Sequence, residues 1–122
     1  MPNKELHIDQ AERNHAFWNS LHNAPTPYLD WVVNGMFYEA VHWIEAYLAT
    51  NELHSSTHFQ RSQTMTRVPK LDSDPHLKID YGVLRTDSEN ARYLCRKYSA
   101  TEIANDLVPI IKRIERTMRS LL

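Results

Sequence analysis

The sequence predicts an all-α protein: a four- to five-helix, up-and-down antiparallel bundle. Three observations carry this reading. Residues 28–50, YLDWVVNGMFYEAVHWIEAYLAT, form one long helical pattern. At about 100° per residue, Val32, Met36, Ala40, Trp43 and Tyr47 fall beside Val33, Phe37, Val41, Ile44 and Leu48. Together they cover about half the circumference, more than a surface helix needs, which suits the middle of a bundle. The chain has only two glycines, Gly35 and Gly82. That is too few for the turns of a sandwich or barrel, or for a glycine-rich phosphate loop. Finally, no segment alternates apolar and polar residues as a half-buried strand does.

The elements follow in order. A first helix is expected over about 10–22, capped by Asp9 with Glu12 three residues on, and with Ala11, Asn14, Trp18 and Leu21 on one face. Two prolines make residues 23–27 a loop. The long second helix follows. A third is expected over about 57–68, with Thr57 and Gln60 as its capping pair and Pro69 as its stop. Asp74 and Pro75 open a fourth, whose stripe is Leu77, Tyr81, Leu84, Ser88, Ala91 and Cys95. Ser99 and Glu102 cap a fifth, with Ile103, Leu107, Ile110, Ile114 and Met118 inside and a kink near 105–109 caused by Pro109.

At 122 residues the chain is long enough for one domain with one core, residues 1–122. A single cysteine, Cys95, excludes an intrachain disulfide and argues against a cysteine-based zinc site. The polar start MPNKELHIDQ lacks the apolar stretch of a signal peptide, and no run approaches a membrane span, so a cytoplasmic location is expected. Net charge is −1, which leaves no global basic footprint for nucleic acid. The charge is uneven: residues 1–91 balance to −5 and residues 92–122 to +4. The basic C-terminal face reads either as a solvated helix surface or as a surface that touches phosphate.

Four segments occur in a telling order: FYEAVHWIEAYLA from Phe37, then His58-Phe59-Gln60-Arg61, then Tyr81-Gly82-Val83-Leu84, then Ser88 to Tyr93 (SENARY). Over residues 11 to 120 this succession resembles the HEPN superfamily of small helical proteins. The resemblance implies an up-and-down bundle, a homodimer, and association with nucleotides or RNA. It also implies a partner such as a nucleotidyltransferase, or a place in a toxin–antitoxin system. Active HEPN ribonucleases carry an arginine followed by a histidine after four to six residues. No arginine here has a histidine at that spacing, and Arg92 is followed instead by Lys97, Tyr98 and Ser99. Lysine is mostly protonated near neutrality and tyrosine titrates near ~10, so neither makes an easy general base. The expectation is a non-catalytic module that binds nucleotide, RNA or a protein partner; the alternative is a ribonuclease with a degenerate site.

The expected binding residues are His58, Arg61, Arg92 and Tyr93, with His42, Tyr81 and Tyr98 as accessories. Arginine offers phosphate a planar fork of donors, and tyrosine can stack on a base. His58 and Arg61 share one face of a helix N-terminus. Against this stands a structural reading: Arg92 pairing with a helix end, Tyr93 in the core, His58 capping a turn and His42 satisfied in a helix interface. Seven histidines also raise a metal reading, because Glu12-x-x-His15 and Glu39-x-x-His42 match the helix motif of dimetal carboxylate bundles. Those bundles need an inward glutamate from each of two further helices. Glu89, Glu102 and Glu115 read as lying near helix ends or on polar faces, so no metal and no cofactor is expected.

Overall fold

A computed structural model describes residues 2–122. Seven helices and one π-helical turn are present among them: α1 (Lys4–His22), α2 (Leu29–Thr50), α3 (His58–Met65), α4 (Pro69–Asp72), α5 (Pro75–Tyr93), α6 (Ala100–Glu102), a π-helical turn (Ile103–Leu107) and α7 (Val108–Leu121). Strands are absent among the described residues. The four long helices make the bundle, and the short ones trim its connections.

Partner residues give the directions. His7 meets His42, His15 meets Glu39 and Trp18 packs on Gly35, so α1 and α2 run antiparallel. Asn34 meets Ser88 and Phe37 meets Tyr81, so α5 runs against α2. Asp80 pairs with Arg113, and the same seam brings His76 beside Thr117, so α7 runs against α5. The result is up-down-up-down.

Local chemistry explains most of the boundaries. Thr57 Oγ1 accepts from Gln60 N, Asp74 Oδ1 from Leu77 N, and Ser99 Oγ from Glu102 N, each at 3.0 Å. The first helix differs from expectation. It begins at Lys4, capped by the side chain of Asn3, and Asp9 lies inside it. An Asn at that position satisfies an orphan amide as well as Asp would, and the helix then gains another turn to lay against α2. The third helix is shorter than expected, ending at Met65, and Pro69 starts α4 instead of merely stopping α3. Upstream of Pro109 the backbone widens into the π-helical turn at Ile103–Leu107, which accommodates the missing amide.

Phe37, Ile44 and Leu48 are fully buried and Val41 nearly so, in one core with Leu84, Leu107, Ile110, Ile114 and Met118. Gly35 is required by close approach. A Cβ there would stand 2.8 Å from Trp18 Cβ and 3.2 Å from the Phe17 ring. No helix of the described residues is long and apolar enough to cross a membrane.

Candidate functional site

Phe37 sits at the centre of the expected binding residues. Its ring centroid lies 5.2 Å from that of His58 and 5.7 Å from that of Tyr81. The Arg92 guanidinium stands 5.9 Å from the Phe37 ring, 5.5 Å from Tyr38 and 5.1 Å from Tyr93. The start of α3, the middle of α2 and the end of α5 therefore meet around one phenyl ring, and His58, Arg61, Arg92 and Tyr93 lie on the same side of the bundle.

Their situations differ. Arg61 is buried, and its Nε donates to Glu45 Oε1 at 2.7 Å. Its Nη1 reaches His58 Nδ1 at 3.1 Å and the Tyr81 hydroxyl at 3.3 Å. It is a buried support for His58 and Tyr81, with its charge already matched by Glu45. Arg92 makes no ion pair among the described residues. Its Nε donates to the Ser88 carbonyl at 3.3 Å and its Nη1 to the Tyr38 hydroxyl. Tyr93 is 73 % exposed, outside the core that a packing role would require.

Arg61 also sets the chemistry of His58. An arginine only donates, so His58 Nδ1 accepts and the imidazole proton rests on Nε2. Burial, reinforced by Arg61, Arg85 and Arg92, lowers the His58 pKa. A neutral imidazole in this tautomer offers Nε2–H as a hydrogen-bond donor, a binding group and not a proton acceptor at that atom.

The accessory residues divide. Tyr81 belongs to the cluster. His42 lies on the α1 side of α2, with its Nδ1 3.0 Å from His7 Nδ1. Tyr98 is engaged elsewhere: its hydroxyl donates to the Asp87 carboxylate at 2.8 Å and accepts from Arg96. Burial and Asp87 push its pKa upward, away from any role as a base.

A cleft of about 300 Å³ opens between α1 and α2, walled by Phe17, Trp31 and Tyr38, with Gln10, Asn34 and His42 among its polar groups. Tyr38 is shared between this cleft and Arg92. A smaller cleft of about 240 Å³ lies between α3 and α5, with Tyr81, Lys78 and Arg85 on its walls.

Two buried carboxylates on α2 were not singled out in the sequence as site residues of their own. Glu45 holds Arg61 and the Ser55 hydroxyl. Glu39, fully buried, accepts from Trp18 Nε1 at 2.6 Å and Trp43 Nε1 at 2.8 Å, and its Oε1 lies 3.0 Å from His15 Nδ1. A signal is present in the sequence: the two glutamates flank the apolar sector of α2 on its opposite edges, where a neighbouring helix covers an acid and it needs partners. Glu115, expected on a polar face, instead brings its carboxylate within 4.8 Å of the donor atoms of His15 and Glu39. On the wheel of α7, Glu115 stands next to the buried Ile111, at the edge of the apolar stripe.

No family model, no curated protein and no solved structure matches the chain.

Proposed function

We propose that the chain is a HEPN-like, non-catalytic module that binds a nucleotide or RNA through Arg92, His58 and the aromatic cleft beside them. The observation that carries this is Arg92. A guanidinium without a carboxylate partner, laid among three aromatic rings, fits a phosphate on its fork and a base stacked nearby. His58 Nε2–H supplies a second donor. Trp31, 52 % exposed, and Tyr38 provide flat faces in the neighbouring cleft.

A labelled oligoribonucleotide titrated against the chain tests the proposal by anisotropy. Binding weakens as salt rises, because phosphate contacts are screened. Arg92→Ala costs about 1.5–3 kcal/mol of affinity. Unchanged affinity in that variant overturns the proposal. The purified chain leaves RNA intact, with or without divalent metal. Cleavage that disappears in Arg92→Ala would replace the binding reading with a degenerate ribonuclease.

The resemblance further suggests a homodimer and a partner such as a nucleotidyltransferase, in a toxin–antitoxin type of setting. Exposed Phe17, Tyr28 and Trp31 on the α1–α2 side support pairing of two copies, since monomers rarely leave such aromatic area uncovered. Light scattering that returns the monomer mass of 14.4 kDa at high micromolar concentration excludes the dimer.

A further inference from the structure

Glu39 lies on the face of α2 opposite in purpose to Tyr38: Tyr38 meets Arg92, whereas Glu39 turns into the seam of α1, α2 and α7. There His15 of α1, Glu39 of α2 and Glu115 of α7 place ligand-type atoms within 4.8 Å of one another. This is a mixed imidazole–carboxylate set drawn from three helices, with one member fully buried and the other two partly open to solvent.

The surroundings resemble those of a held ligand. The indoles of Trp18 and Trp43 donate to opposite oxygens of Glu39 and fix its plane. Outer groups of this kind orient the ligands of metal sites. Oε1 takes Trp18 and His15, while Oε2 takes Trp43 alone among the described residues, so a fully buried oxygen keeps an unused lone pair. The charge is unbalanced too. Arg119 pairs with Glu115 at 3.1 Å and Glu12 at 3.5 Å while lying over the Trp43 ring. Two carboxylates thus share one guanidinium, and the donors reaching Glu39 carry no fixed positive charge.

We infer that His15, Glu39 and Glu115 form a binding site for a transition-metal dication, with Zn²⁺ as the best-fitting ion. The donor mixture selects it: imidazole suits zinc and its neighbours, whereas calcium and magnesium prefer oxygen alone. Spacing agrees. Ligand atoms around tetrahedral zinc stand about 3.4 Å apart. The His15–Glu39 separation is already 3.0 Å, and all three ligand-type atoms fall within 4.8 Å of one another. Three protein ligands leave a fourth position for water. For Nδ1 of His15 to take the ion, the proton of the neutral imidazole moves to Nε2.

The test is a titration of the intact chain with Zn²⁺ by calorimetry and with Co²⁺ by absorbance and tryptophan fluorescence. One ion per chain is expected, and Co²⁺ quenches emission because Trp18 and Trp43 touch the ligand Glu39. His15→Gln and Glu115→Gln change residues outside the fully buried set, so circular dichroism should confirm an intact fold. Each should weaken binding at least about tenfold. His42→Gln, which alters the separate His7–His42 pair, should leave binding unchanged. No saturation by millimolar Zn²⁺, or binding that survives either His15→Gln or Glu115→Gln, overturns the inference. Binding abolished by His42→Gln also overturns it and moves the ion to the other histidines.

Discussion

Glu39 and Glu45 lie less than two turns apart on α2, and both are buried, yet the fold satisfies them in opposite ways. Glu45 is given a full counter-charge, Arg61, with Ser55 on the same oxygen. Glu39 is given two indoles and an imidazole. The first arrangement is closed: charge is cancelled, and Arg61 goes on to orient His58 and Tyr81. The second has no fixed counter-charge, and burial raises the Glu39 pKa against the opposing pull of its hydrogen bonds. A carboxylate held by neutral donors stays receptive to a proton or a cation; a carboxylate held by arginine does not. One helix thus uses the same side chain as a strut on one face and as a receptive centre on the other.

The largest effect should come from opening the closed pair. Arg61→Met strands Glu45 in the interior, and a loss of about 3–5 kcal/mol is expected in denaturant unfolding. A loss below 1 kcal/mol would mean that water or another group reaches Glu45. Ile44→Ala, the residue next to Glu45, calibrates that figure: a plain cavity should cost roughly 2–5 kcal/mol. If the helix-2 orientation were wrong, this change would lie within noise.

Removing one indole donor by Trp18→Phe should cost about 1–3 kcal/mol, since His15 still serves the same Glu39 oxygen. A cost matching Arg61→Met would erase the distinction between the two carboxylates.

The His7–His42 pair, close enough to feel both Glu45 and Arg61, sharpens the comparison through pH. Burial chiefly, then His7, lowers the His42 pKa from 6.5 to about 4. As pH falls below 6.5 the unfolded chain takes up this proton first. The stability that neutral His42 contributes is therefore complete above 6.5 and is lost as pH falls toward about 4. His42→Gln should lose less stability than the parent between pH 7 and pH 4.5. Parallel curves for the two proteins would place the acid sensitivity elsewhere.

The smallest effect separates the two glycines. Nothing stands within 4 Å of a Cβ at Gly82, so Gly82→Ala should stabilise the chain by about 0.5–1 kcal/mol. The same change at Gly35 should destabilise, because that Cβ would strike Trp18. Thermal unfolding of the two variants gives opposite signs if α1 and α2 are packed as described.

The sequence by itself determined the helical class, the long central helix and three of the capped starts, at Thr57, Asp74 and Ser99. These depend on periodicity and on side chains a few residues apart. It also put His58, Arg61, Arg92 and Tyr93 in one group through their order. Only the tertiary structure decided what each of them does. Arg61 is buried and Arg92 lies among aromatic rings because Glu45 meets one and Tyr38 the other, contacts that span 16 and 54 residues of chain. The Asn3 cap, hidden behind an equally good Asp9, and the meeting of Glu115 with Glu39 were decided in the same way. Helix propensity is local, whereas the partner of a buried charge is chosen by packing between segments far apart in the chain.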